Sequence, residues 1–267
     1  MGKAKAILVI SSVFFLLFSF RDVSGQTDTK STQKDPKSVQ TKAKTTQPAT
    51  KSVQTKTKSV QSKSKSVQKS IKSEPAAKKK DLGTVTIGTQ TWAVANLNVN
   101  TFRNGDTITE ARTNKEWQTA GELGKPAWCY YNNDPSNGSK YGKLYNWYAL
   151  NDPRGLAPVG WTLSGDADWA KLSYYLGGQE VAGRKLKSTG EWIDGNIGTN
   201  ETGFMGFPGG YRVENGAFLN FGSIGTWWSS TENKSNNAID HYLAQSNIFG
   251  RSSSPKQRGE SVRCIIK

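Results

Sequence analysis

Histidine and cysteine are nearly missing: the 267-residue chain has one of the first, His241, and two of the second, Cys129 and Cys264. Such a set cannot build a zinc site of the usual kind unless carboxylates take over the ligation, and no motif for a metal or other cofactor stands in its place. Long apolar runs are missing too. The run over residues 6–20 is short for a membrane span, and nothing after it approaches eighteen apolar residues. No cysteine follows that run, which removes the lipid-anchored form of a bacterial signal. Aromatic residues are absent from 26 to 80, although that stretch is strongly basic. Single-strand binders interleave rings with their cations for stacking, so nucleic acid is disfavoured as a partner.

Lys3 and Lys5, the apolar run and the small residues Val23-Ser24-Gly25 together predict a signal peptide over residues 1–25, cut after Gly25. The alternative is an uncleaved N-terminal anchor. Export places the protein outside the cell, on the outer surface or in the periplasm of a bacterium. The net charge of +15 is unevenly spread: residues 26–80 hold fifteen lysines against Asp28, Asp35 and Glu74, and residues 81–267 are left with +1. The basic stretch reads in sevens, as in "KSVQTKT", "KSVQSKS" and "KSVQKSI". A coiled coil needs two apolar seam positions per heptad, whereas the units offer at most one apolar residue at a given seam position, usually Val, and Pro36, Pro48 and Pro75 interrupt the register. With little apolar area to bury, a disordered linker is expected, spanning about 40 Å on average. It serves as a spacer or, alternatively, as a polycationic arm for anionic envelope polymers.

Residues 81–267 hold all nine tryptophans and all nine tyrosines, enough for one domain with a real core. "GTVTIGTQTWAVANLNV" reads as two strands around a Gly88-Thr89 turn. In "LSGDADWAKLSYYLGG", Ser164 is the expected N-cap, Asp166 and Asp168 suit the positive end of the helix dipole, Trp169, Leu172 and Leu176 make a buried face, and Gly177-Gly178 stops the helix. A second helix is expected over "SKYGKLYNWYALND", with Gly142 as its weak point. "GFMGFPGGYRV", "GAFLNFG" and "ESVRCIIK" look like strands joined by loops. The class is α+β. Two cysteines in an oxidising compartment predict one bridge, Cys129 to Cys264, against two separately buried thiols.

"QTWAVANLNV", "AWCYYNNDPSNGSKYGKLYNWYAL", "APVGWTLSGDADWAKL", "AGRKLKSTGEW", "NETGFMGFPGGYR", "TWWSSTEN" and "ESVRCIIK", in this order, resemble the successive signatures of the family called the Fibrobacter succinogenes major paralogous domain, across residues 83 to 267. That family is in turn similar to the C-type-lectin-like group that includes the formylglycine-generating enzymes. The resemblance implies a C-type-lectin-like fold with paired terminal strands and long loops, and exported or surface proteins with no established activity. The copper and oxidation chemistry of formylglycine-generating enzymes needs two neighbouring thiols, and Cys129 and Cys264 sit in blocks that look structural in the family.

No catalytic constellation is legible. Asp240 and His241 are adjacent, and neighbours in a strand face opposite ways, so the expectation is a surface histidine beside a surface aspartate. "YNNDPSNGSKYG" has calcium-like oxygens but one carboxylate, Asp134, and reads better as an Asx turn. Recognition is the better supported reading: rings beside small polar groups suit glycan or protein ligands. The candidate surface is Trp228, Glu232, His241, Tyr242, Asn247 and Arg251, with one of Trp227 and Trp228 packed inward and the other bordering that surface. A plain exposed hairpin is the alternative. The expected function is an exported, non-catalytic binding or adhesion protein; the alternatives are a glycan-acting envelope enzyme and a structural component held by its tail.

Overall fold

The computed structural model describes residues 81–195 and 197–267. The signal peptide and the basic linker expected over 1–80 lie outside the described residues. In chain order the elements are β1 (Thr84–Ile87), β2 (Gln90–Ala93), β3 (Thr109–Glu110), α1 (Asn114–Glu122), β4 (Ala127–Cys129), α2 (Gly138–Tyr141), β5 (Leu144–Tyr145), α3 (Trp147–Leu150) and β6 (Thr162–Leu163). They continue with α4 (Asp166–Tyr175), α5 (Gln179–Leu186), β7 (Gly209–Arg212), β8 (Phe218–Phe221), β9 (Gly225–Asn233), β10 (Asn237–Leu243), β11 (Phe249–Pro255) and β12 (Cys264–Ile266). The class is α+β.

Gly88, at φ 62°, makes the tight turn that sets Ile87 opposite Gln90, a left-handed position that glycine occupies without steric cost. β2 then pairs with β12, Trp92 opposite Ile265, so the last strand lies inside a four-stranded sheet ordered β1-β2-β12-β6. A second sheet runs β11-β10-β9-β7-β8, and a small third one β3-β4-β5.

All nine tryptophans are buried. Trp227 and Trp228 are both inside, which corrects the expectation that one of them borders a surface. β9 is an interior strand covered on both faces: Trp227 packs with Trp92, Trp169 and Phe204, while Trp228 packs with Tyr145, Trp147 and Trp161. Each indole also finds an acceptor, Asn96 Oδ1 for Trp227 and the Tyr145 carbonyl for Trp228, both at 2.8 Å. A two-sided strand can bury consecutive large residues, and this one does.

Three further expectations change. The helix over 139–152 is broken at Gly142, whose φ of 73° is left-handed and whose missing Cβ leaves room for the Leu97 carbonyl; single turns α2 and α3 flank a short strand instead. Ser164 does not cap α4, since its hydroxyl donates to the Arg263 carbonyl at 2.9 Å. Gly165 is the N-cap, and Asp168 Oδ2 accepts from its N–H. Cys129 and Cys264 are free and buried, with no bridge between them. They stand in different sheets and different clusters, Cys129 with Ala111 and Trp117, Cys264 with Leu97 and Tyr145. Burial pushes both thiols up to about 12.

Candidate functional site

The register of the second sheet sets three residues in a row: His241 on β10 lies between Trp227 on β9 and Arg251 on β11. Cross-strand partners share a face, so all three point the same way. Helix α4 crosses that face. Its Trp169 ring stacks on the His241 ring with centroids 5.4 Å apart, and Phe249 stacks on His241 at the same separation. The imidazole thus has aromatic neighbours, and it is 3% exposed.

The first residue of α4 supplies the charge. Asp166 accepts two parallel bonds from Arg251, Nε to Oδ1 at 2.8 Å and Nη2 to Oδ2 at 2.9 Å, and His241 Nε2 lies 3.1 Å from Oδ1. Its own N–H donates to Thr231 Oγ1 at 3.0 Å, so strand β9 positions the helix start. The Arg251 guanidinium, helped by His241, holds the Asp166 carboxyl below its usual range despite partial burial. Burial pushes His241 down to about 4, against the opposing pull of Asp166. At neutral pH the imidazole is therefore uncharged, and with Asp166 ionised the geometry requires its proton on Nε2, donated to the carboxylate.

Above these residues lies an open cleft of about 340 Å³. Trp169, Phe249 and Tyr174 form its apolar walls, and Ser173 and Gln179 contribute polar groups. A carboxylate has about four acceptor directions and a guanidinium five N–H groups. Among the described residues three of the Asp166 directions and two of the Arg251 N–H groups are spent. One acceptor and several donors thus remain side by side at the mouth of an aromatic cleft, and the Arg251 side chain is half exposed.

The other residues named from sequence stand elsewhere. Trp228 is in the core. Glu232 is ion-paired with Lys256, whose Nζ sits 4.8 Å from the Trp147 ring centre. Tyr242 points to the opposite face of β10, its ring over Gly250, where any Cβ would come within 2.1 Å of it. Asn247 is exposed and lines a separate cavity with Arg184 and Glu201. Asp240 is buried, not at the surface, and faces away from His241. Burial raises its pKa, and it raises that of Glu260, with the nearby Asp240 adding to the shift. Asp166, which organises the cleft, gave no sign of this in the sequence, because its role as a helix-start acid accounts for it locally; its partners lie 75 and 85 residues away.

Among the described residues no group of three His, Cys, Asp or Glu side chains is placed to hold a metal ion, and no helix is long and apolar enough to cross a membrane. The fold and the cleft define an α+β domain with a polar triplet seated among aromatic rings. The model of the Fibrobacter succinogenes major domain family matches residues 85–266, and the chain belongs to that family. No curated protein and no solved structure matches it.

Proposed function

We propose that this is an exported, non-catalytic recognition protein of a bacterial surface, with a C-type-lectin-like domain that binds glycans in the cleft over α4 and a basic spacer that holds the domain away from a surface. The observation that carries the reading is the Asp166–Arg251–His241 triplet at the mouth of an aromatic cleft. A sugar hydroxyl both donates and accepts, and the triplet offers one acceptor next to several donors, while ring faces suit the C–H face of a pyranose. The insertion of the last strand beside the N-terminal hairpin, β12 against β2, is in keeping with a C-type-lectin-like arrangement.

A protein ligand is supported less well. Strand addition needs a free sheet edge, and helix α5 lies against β11 and against the loop just before it, with Gly183 on the Asn247 carbonyl. Glycoside hydrolysis needs two carboxyls roughly 5 to 9.5 Å apart, and among the described lining residues Asp166 is the one acid, already bound to Arg251. Anionic envelope polymers remain as partners for the spacer.

The test is a glycan array probed with the full chain and with Arg251→Ala, at low and at moderate salt. Binding that survives salt and is lost in the variant, with an unchanged circular dichroism spectrum, supports the cleft. Binding that fades as salt rises and is indifferent to the variant assigns it to the lysine repeat.

A further inference from the structure

Helix α4 ends in two large side chains turned to solvent: Tyr174 is 87% exposed and Tyr175 63%. Every tryptophan in the domain is buried, so these rings are the conspicuous aromatic surface near the cleft. Tyr174 is also a shared wall. On its other side lies a second open depression, of about 420 Å³, lined by Ile87, Thr89, Gln90, Lys171, Tyr174 and Tyr175. Tyr175 is seated there, because a Cβ at Gly88 would come within 2.8 to 3.1 Å of three atoms of its ring. The ring therefore rests on the bare backbone of the β1–β2 turn and leaves its other side to solvent. Gln90 is fixed as well, its Nε2 donating to the Asp168 carbonyl at 3.0 Å. Lys171 brings an ammonium with three donors, and no acid lines this depression among the described residues.

We infer that the two depressions are adjacent subsites of one seat, and that the ligand is an internal stretch of a linear glycan running across the end of α4, not a single terminal sugar. This rests on the reading of the first cleft as a glycan site. The geometry gives the second subsite its chemistry. Tyr175 is a ring already held in place, so a sugar laid on it orders little that was mobile. Thr89 and Lys171 supply hydroxyl and ammonium groups at its edge. Tyr174, between the two, is a wall that a chain must contact from both sides, whereas a monosaccharide meets it from one. A ligand that covers both rings also removes from water the apolar area that the fold leaves uncovered.

The experiment is isothermal titration of the full chain with linear oligosaccharides of two and six units from several series: β-1,4-glucan, β-1,3-glucan, chitin, α-1,6-mannan and polygalacturonate. In at least one series the hexamer should bind tenfold or more tighter than the dimer. Tyr175→Ala, and independently Lys171→Ala, should erase that gain and leave dimer affinity within twofold of wild type. Arg251→Ala should weaken both lengths. Equal affinity for dimer and hexamer, or equal loss of both in Tyr175→Ala with an unchanged melting temperature, overturns the second subsite while the first stands. Absence of binding in every series overturns the glycan reading and this inference together. Tighter binding to single-stranded oligonucleotides than to any sugar would replace both.

Discussion

Between pH 6.5 and about 4, an unfolded chain takes up a proton on His241 that the folded chain refuses, because the imidazole is buried between Trp169 and Phe249. The unfolded state binds more protons in this window, so stability rises with pH across it and is lost as pH falls. The loss is on the order of 3 kcal/mol at one pKa unit per 1.36 kcal/mol. Asp166, whose carboxyl is also held low, adds to the loss at still lower pH. Melting temperatures taken in steps from pH 7.5 to pH 4 should therefore drop most steeply below pH 6.5. His241→Gln, which keeps a donor and has no charge to gain, should flatten that part of the curve. A slope that persists in the variant would place the titration on another group.

At the scale of elements, helix α5 lies against the loop before β11 through one residue without a side chain. A Cβ on Gly183 would lie 2.3 Å from the Asn247 carbonyl oxygen and 2.7 Å from that of Ile248, a backbone collision that no rotamer relieves. Gly183→Ala should cost about 1 to 3 kcal/mol in urea denaturation, since overpacking is relieved only by moving the helix. Elements with local causes were readable from sequence. Gly88-Thr89 marks a turn, and Asp166, Trp169, Leu172 and Gly177 mark a helix within two residues of its ends. Helix α1 has a local cause of the same kind: Thr113 and Glu116 form a capping box, with Glu116 Oε2 accepting from the Thr113 N–H at 2.9 Å. The break in the helix around Gly142 is hidden in the sequence because the aromatic stripe has helical spacing, while the left-handed glycine that interrupts it is set by the Leu97 carbonyl from a distant loop. The site was half legible for the same reason. His241 and Arg251 lie on one hairpin and in one candidate stretch, but Asp166 and Tyr174 meet them only through the packing of α4 on the second sheet. The burial of Trp228 is not legible in the sequence, because a strand covered on both faces has no polar alternation to reveal it.

Across the whole molecule, cohesion comes from buried side chains that bond to backbone, not from a covalent bridge. Cys129 and Cys264 lie in separate clusters with thiols raised to about 12 by burial. A reductant should leave the melting temperature unchanged, and a thiol reagent should count two groups only after unfolding. The tie between the β1–β2 hairpin and the segment leading into β12 is Arg263, fully buried, whose guanidinium donates to the carbonyl of Ala93 at 2.9 Å and to Asn96 Oδ1 at 2.8 and 3.0 Å. It also reaches the carbonyls of Val94 and Phe204, at 2.6 Å each. Arg263→Met keeps most of the stem but orphans several of these acceptors at roughly 1 to 3 kcal/mol apiece, so the variant should fail to reach a cooperative unfolding transition in chemical denaturation.

The strand that follows Arg263, β12, is an inner strand of its sheet, flanked by β2 and β6. A ribosome works from the other end. Until residues 263 to 266 have left it, β2 and β6 have nothing to pair with between them, and the carbonyls of Ala93 and Phe204 wait for a guanidinium not yet synthesised. The nascent domain should therefore stay unfolded until residues 263 to 266 have emerged, its tryptophans open to chaperones, and then complete its core in one concerted step.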